Sequence, residues 1–75
     1  MIEYPMISLT GTGKKIKEAV KESGYTTTEI MGYMGMRHTK SIYAWYRGEC
    51  LPTLENISAL SVLLGVSINE LIVYE

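Results

Sequence analysis

The sequence predicts an all-α protein built as a compact bundle of five short helices. Three observations lead to this prediction: apolar residues recur at helical spacing, Ser or Thr precedes nearly every such segment, and glycine follows most of them. Ser and Thr cap the starts of helices, whereas glycine adopts the left-handed conformation that ends them. With 75 residues, the chain is expected to form one domain, residues 1–75, with a modest core.

The first two helices are predicted from their caps and their apolar spacing. Thr12 is the expected cap of the first helix, which ends at Gly24. Its apolar face consists of three residues: Ile16, Ala19 and Val20. Thr26 and Glu29 form a capping box at the second helix, because each side chain satisfies a backbone N–H of the other residue. This second helix is predicted to run to Gly35.

The third helix is predicted within the stretch RHTKSIYAWYRG, residues 37–48, beginning at Thr39 or His38 and closing at Gly48. Each helical residue advances by about 100°, so two opposite faces can be assigned. The face expected to be buried contains Ile42, Trp45 and Tyr46. The face expected to be exposed contains Lys40, Tyr43, Ala44 and Arg47. This second face therefore presents cationic and aromatic groups to a partner.

The fourth helix is predicted to open at Pro52 and Thr53 and to end at Gly65. Its expected buried face contains Leu54, Ile57, Leu60, Ser61 and Leu64. Ser67 and Glu70 form a second capping box before a short fifth helix with the sequence INELIV. The helical bundle thus spans residues 12–73, after an N-terminal arm of residues 1–11. The terminal segments EYPMISL and LIVY are β-prone, so a short extended pairing there is the alternative to coil.

The residue inventory argues against catalysis and against a metal or cofactor. The chain has no Asp, one His and one cysteine, Cys50, which leaves no triad, no disulfide framework and no zinc cluster. The segment GTGKK looks superficially like a phosphate loop. Ser8 and Lys15, however, occupy the positions where that motif needs Gly and Ser/Thr. The protein is therefore expected not to be an enzyme and to need no cofactor.

The same inventory predicts a cytoplasmic protein without a membrane segment. No apolar run approaches the ~20 residues of a membrane-spanning helix. The start, MIEYPMISL, carries an acid where a secretory signal carries basic residues.

Charge is divided unevenly along the chain. The net charge is −1, but residues 1–47 hold all seven Lys and Arg with four Glu, whereas residues 48–75 hold four Glu and no basic residue. A nucleic-acid partner would meet the first part, with the acidic end turned away. The alternative is an ordinary solvated protein with a similar asymmetry.

Two short helices joined by a tight turn, the second with an exposed basic and aromatic face, match a helix-turn-helix that reads DNA. The sequence resembles the Cro and phage-repressor (XRE-type) family of helix-turn-helix domains. The resemblance is carried over residues 12–73 by GYTTTEIMGYMG, SIYAWYRG, LPTLENISALSVLLGVS and INELI. It implies a lambda-repressor-like fold and a DNA-binding transcriptional regulator, commonly a homodimer, that inserts residues 39–47 in the major groove of double-stranded DNA.

The resemblance also implies roles for individual residues. Base contacts are expected from Thr39, Lys40, Tyr43 and Ala44. It also implies backbone phosphate contacts from Thr27 and Arg47. Apart from the resemblance, phosphate contacts are expected from Arg37, from His38 when it is charged, and from Lys14 beside the exposed N–H groups of a helix start. Thr27 falls where many family members have a glutamine that grips the backbone. Lys14 lies at the start of the first helix, where Lys15 and Lys17 are also near enough to hold a phosphate.

Each of these assignments has a simpler alternative. Lys40 can be an ordinary solvated lysine without a function. Tyr43 can cover the junction of helices two and three, and His38 can be a turn residue. The main rival function is a protein-interaction adaptor that keeps the bundle without binding DNA. Its support is the net charge of −1, the absence of Gln and the uncharged Tyr43 and Ala44. A DNA-binding antitoxin component is another alternative.

Dimerisation is expected because one recognition helix reads few base pairs. The candidate residues for the dimer interface, or for extra strands, are the apolar ones near the termini: Tyr4, Met6, Ile7, Leu71, Ile72 and Tyr74.

Overall fold

A computed structural model describes residues 4–75, which form five α-helices. The helices are α1 (Leu9–Ser23), α2 (Thr27–Tyr33), α3 (Lys40–Tyr46), α4 (Leu54–Leu64) and α5 (Ile68–Leu71). The predicted all-α bundle is therefore confirmed. The first three residues of the predicted arm 1–11, including Glu3 of the β-prone segment, lie outside the described residues.

The cap of α1 is Ser8, so the prediction that Thr12 caps this helix was wrong. The Ser8 hydroxyl accepts a hydrogen bond from the Gly11 N–H at 3.0 Å. Thr12 lies within the helix and is only 1% exposed. Its hydroxyl accepts from the Val73 N–H at 3.0 Å and lies 3.4 Å from the Val73 carbonyl oxygen. This partner is distant in sequence, so local spacing did not reveal it.

The caps of α2, α4 and α5 follow the sequence prediction. Thr26 and Glu29 form a complete capping box, with the Glu29 N–H donating to the Thr26 hydroxyl at 3.1 Å and the Thr26 N–H to the Glu29 carboxylate at 2.9 Å. Ser67 and Glu70 form the second box. The Thr53 hydroxyl accepts from the backbone at the start of α4. These devices satisfy N–H groups that have no partner inside the helix.

Four local details differ from the prediction. Helix α2 ends at Tyr33 rather than at Gly35, and α5 ends at Leu71 rather than continuing through INELIV. Thr39 precedes α3, but its side chain makes no capping hydrogen bond. Leu54 was expected in the core and is instead 80% exposed, because it is the first residue of α4 and lies at the edge of the bundle.

The core draws residues from all five helices. It consists of Ile16, Val20, Ile30, Ile42, Trp45, Ile57, Leu60 and Leu71. Met31, Met34 and Met36 pack against it, as expected for these adaptable side chains. Leu71 is 1% exposed and Ile72 packs against the core. Leu71 is therefore not available for the dimer interface that the sequence suggested, whereas Ile72 is half-buried and lines a surface groove with Ile7 and Leu54.

Two glycines allow α1 and α3 to approach closely. A Cβ atom on Gly13 would overlap the carbonyl oxygen of Trp45, at the C-terminal end of α3. A Cβ atom on Gly48 would lie 2.8 Å from the Cα of Thr10, and Gly48 also has a φ of +73°, which favours glycine. The crossing of these helices therefore depends on the absence of two side chains.

The two terminal segments pair with each other. The predicted extended pairing is limited, within residues 4–75, to one antiparallel bridge between Ile7 and Tyr74. The Ser8 N–H donates to the Val73 carbonyl at 2.7 Å, and the Glu75 N–H donates to the Met6 carbonyl at 2.8 Å. Together with Thr12, this bridge fixes the C-terminal segment against α1.

We predict that Gly13→Ala lowers the free energy of unfolding by about 1–3 kcal/mol, the usual cost of overpacking. The reason is the overlap between the new methyl group and the Trp45 carbonyl. The control is Gly32→Ala, at an exposed position of α2 where a Cβ meets open space. That change should stabilise by about 0.5–1 kcal/mol through helix propensity. Urea unfolding followed by circular dichroism measures both, and two stabilised variants would contradict the close crossing.

Candidate nucleic-acid interface

Helices α2 and α3 are joined by a tight turn, residues 34–39. Gly35 has a φ of +70°, which reverses the chain after α2. The Met36 N–H donates to the Met31 carbonyl at 3.0 Å, which closes the end of α2 in a Schellman arrangement. The turn therefore presents α3 as the second helix of a compact helical pair.

The two faces of α3 are divided largely as the sequence predicted, except that Ala44, expected to be exposed, and Tyr46, expected to be buried, are both half-buried. Ile42 is fully buried and Trp45 is 4% exposed, so both fix the helix to the core. Lys40 is exposed, Tyr43 is 46% exposed and Arg47 is exposed just beyond the last turn. Thr39, just before the helix, is also half-buried. The outward groups are thus carried by a firmly packed helix.

Tyr46 connects α3 to the beginning of α2. Its hydroxyl oxygen lies 3.1 Å from the Thr27 hydroxyl oxygen, within hydrogen-bonding distance. Its ring meets the Tyr43 ring edge to face, with centroids 5.6 Å apart and planes at 86°. Burial raises the pKa of Tyr46, so at neutral pH its hydroxyl keeps its proton.

A cavity of about 330 Å³ opens where α1, α2 and α3 meet. We call it the three-helix cavity, and it is lined by Lys17, Val20, Lys21, Thr27, Tyr43, Tyr46 and Arg47. No carboxylate lines it, and three of its side chains carry positive charge. The cavity therefore combines an apolar wall with cations and hydroxyls.

The lysines of α1 are divided between two grooves. Lys14, Lys17 and Lys21 follow the helical repeat of one face, and the latter two line the three-helix cavity. Lys14 itself is exposed and is not part of the cavity lining. Lys15 instead lines a separate groove that includes Glu18, Glu22 and Glu70. The three grouped lysines thus lie on the side of α1 that adjoins α2 and α3.

The remaining predicted contacts lie around the turn and at the end of α3. Arg37 and His38 are exposed in the turn. Arg47 forms an ion pair with Glu49, and no other ion pair occurs within residues 4–75. The hydrogen bond and charge of Arg47 lower the pKa of Glu49. An anionic partner that reaches Arg47 must therefore displace or accommodate Glu49.

Two residues that sequence reasoning did not place at the predicted interface lie beside it. Lys21 was missed although its spacing from Lys14 and Lys17 places it on the same helical face. Tyr46 was assigned to the buried face, and it is half-buried, but its hydroxyl reaches Thr27 on another helix. Only the three-dimensional arrangement reveals that contact. The base and phosphate roles of the nine predicted site residues remain predictions.

The described part of the chain offers no clear metal site. Residues 4–75 contain no group of three or more His, Cys or Glu side chains placed to hold an ion. None of the helices in that range has the length and apolar character needed to cross a membrane.

The arrangement is that of a helix-turn-helix domain, the fold that the sequence resemblance implied. Among solved structures, the chain is similar to the restriction-modification controller protein C.AhdI from Aeromonas hydrophila, with 22% identity and a TM-score of 0.73 over 84% of this chain and 94% of that chain. It is also similar to the DNA-binding domain of BldD, with 18% identity and a TM-score of 0.73 over 88% of this chain and 94% of that chain. No family model and no curated protein sequence matches it. At these identities the comparison establishes the fold.

We predict that Arg47→Ala raises the pKa of Glu49 toward its ordinary range, because the mutation removes the hydrogen bond and the charge that lower it. Carboxyl carbon shifts followed by NMR through a pH titration measure the change. Lys40→Ala is the control, since Lys40 forms no ion pair with Glu49. An unchanged Glu49 titration in Arg47→Ala would show that the pair does not persist in solution.

Proposed function

We propose that this protein is a sequence-specific DNA-binding transcriptional regulator that inserts α3 in the major groove of double-stranded DNA. It acts in the cytoplasm by binding rather than by catalysis. The fold it shares with a DNA-binding domain and with a restriction-modification controller supports this function. The major groove is wide enough to admit one α-helix.

One observation carries the proposal: α3 is fixed by buried Ile42 and Trp45 while its cationic and aromatic side chains face outward. The alternative that Tyr43 merely covers the junction of α2 and α3 explains its contact with Tyr46, but not its 46% exposure. The adjoining lysine side of α1 extends the same positive surface. An anionic, groove-bearing partner fits this combination better than an apolar protein surface does.

We assign the contacts on chemical grounds. Lys40 donates to base edges, Tyr43 packs against a sugar or a thymine methyl group, and Thr39 and Ala44 complete the groove-facing set. Phosphate contacts come from Arg47, Thr27, Arg37, His38 and Lys14. These phosphate contacts set the register of α3 in the groove, whereas the first group distinguishes bases.

The protein is proposed to bind as a homodimer. One short helix reads few base pairs, and two half-sites about 34–36 Å apart multiply affinity and specificity. Exposed apolar side chains are available for self-association, since Leu54 is 80% exposed near Leu51 and Ile7. Tyr4 and Met6, which precede Ile7 in the sequence, are also exposed.

Selection of bound sequences from a random double-stranded DNA pool tests the function directly. We expect enrichment of a palindrome whose half-sites are one helical turn apart. An enriched single half-site would retain the DNA-binding function and reject the dimer. If folded protein enriches no sequence, the regulator proposal fails and the adaptor function takes its place.

We predict that Lys40→Ala and Arg47→Ala weaken binding to the selected DNA without lowering the melting temperature, because both side chains are exposed. Removal of one phosphate contact should also reduce the salt slope by about 0.9, since fewer counterions are released. Lys15→Ala is the matched control: the sequence grouped Lys15 with Lys14, but the structure places it in the separate groove with Glu18 and Glu22. Fluorescence anisotropy at several salt concentrations measures affinity and slope. Unchanged affinity in both variants would refute the assigned face.

A further inference from the structure

The three-helix cavity contains a pair of hydroxyl groups with unused hydrogen-bonding capacity. The Thr27 and Tyr46 hydroxyls are bonded to each other, and within residues 4–75 neither makes another side-chain hydrogen bond. Each hydroxyl carries one proton, so the bond between them uses one O–H and leaves the other free to donate. Because Tyr46 keeps its proton at neutral pH, the pair retains one O–H that their mutual bond does not use, and both residues line the cavity.

The charges and surfaces around this pair restrict what it can receive. Lys17, Lys21 and Arg47 supply positive charge, and among the described residues the only carboxylate paired with any of them is Glu49. Val20 and the Tyr43 ring supply an apolar wall. A group with an anionic, hydrogen-bond-accepting end and a small apolar body matches this lining. A phosphate ester attached to its sugar has both features.

The continuity of the cavity with α3 favours DNA over a free nucleotide as the source of that group. Tyr43 and Arg47 belong both to the cavity lining and to the outward side of α3. A strand whose bases meet α3 therefore has its backbone within reach of the cavity. A free nucleotide gains nothing from that continuity.

We propose that the three-helix cavity holds one sugar-phosphate unit of the DNA backbone, and that Tyr46 is the positioning residue that directs the hydroxyl pair at its phosphate. This inference rests on the proposed DNA-binding function. The pair is neutral, so it contributes direction to the phosphate contact, whereas the lysines contribute charge. Tyr46 thus fixes the position of α3 relative to the strand without touching a base.

The first test uses salt dependence to separate the hydrogen bond of the hydroxyl pair from the charge of the lysines. Tyr46→Phe removes only a hydroxyl and should weaken binding about tenfold, the usual effect of a hydrogen bond to a charged group. Its salt slope should stay unchanged, because no cation is lost. Lys17→Ala should lower the slope by about 0.9. Tyr33→Phe, at an exposed site of α2, is the matched control for the hydroxyl.

A second variant guards against a structural effect of the first. Thr27→Val keeps the shape of the side chain and removes the other hydroxyl of the pair. It should weaken binding as much as Tyr46→Phe, and the double variant should lose no more than either one, because the two hydroxyls act as a unit. Additive losses would overturn the paired role. Melting temperatures within the range of the Tyr33→Phe control show that the fold is intact.

The decisive experiment locates the phosphate itself. In the selected duplex, one linkage at a time is replaced with an uncharged methylphosphonate, and each duplex is bound to the wild type and to Tyr46→Phe. We expect one linkage, flanking the bases bound by α3, where the wild type loses affinity and Tyr46→Phe loses markedly less. Equal profiles for the two proteins would overturn the proposal.

Two further outcomes distinguish the failures. If the wild type binds DNA but Tyr46→Phe matches it in affinity, the cavity proposal fails while the DNA-binding function stands. If the wild type binds no DNA, both fail. Thymidine monophosphate serves as the probe for a free nucleotide: saturable NMR shifts at the cavity, together with competition against DNA, would overturn the backbone assignment in favour of a nucleotide ligand.

Discussion

The close contact between α1 and α3 determines most of the arrangement. With no side chain at Gly13, the backbone of α1 lies against the Trp45 carbonyl at the end of α3. At Gly48, just beyond the end of α3, the lack of a side chain likewise allows close contact with Thr10. A helix crossing this close leaves little freedom in position, because packed interiors do not deform continuously. The outward side of α3 and the lysine side of α1 therefore keep a fixed orientation relative to each other.

The termini reinforce this crossing at the same N-terminal end of α1. The buried Thr12 hydroxyl satisfies the Val73 N–H, and the bridge between Ile7 and Tyr74 aligns the two segments. Such a small domain buries a limited fraction of its surface, so a fixed C-terminal segment matters to its stability. Leu71, immediately before that segment, fills the core beneath α1. Part of the C-terminal segment that the sequence suggested as a dimer interface is therefore buried inside the domain.

The elements that sequence could predict are those controlled by neighbours in the chain. The capping boxes at Thr26 and Ser67 depend on a partner three residues away, and the faces of α3 depend on helical periodicity. The Ser8 cap was missed because Thr12 fits the same local pattern of a helix cap. Only the hydrogen bond between Thr12 and the distant Val73 shows that Thr12 lies inside the helix. Leu54 was assigned to the core by spacing, although a first-turn position at the bundle edge leaves it exposed. The candidate site shows the same division. The exposure of Lys40 followed from spacing, whereas the contact between Tyr46 and Thr27 joins separate helices.

A net charge of −1 does not prevent this chain from binding a polyanion, because the charge is segregated. The acidic residues Glu18, Glu22 and Glu70 line a groove apart from the three-helix cavity, which no carboxylate lines. Cations alone attract DNA without fixing its position, since a lysine is a flexible point charge. A pair of hydroxyls held between two packed helices has little such freedom. In the proposed complex of a protein with only seven basic residues, neutral donors of this kind would supply the orientation that additional charge does not.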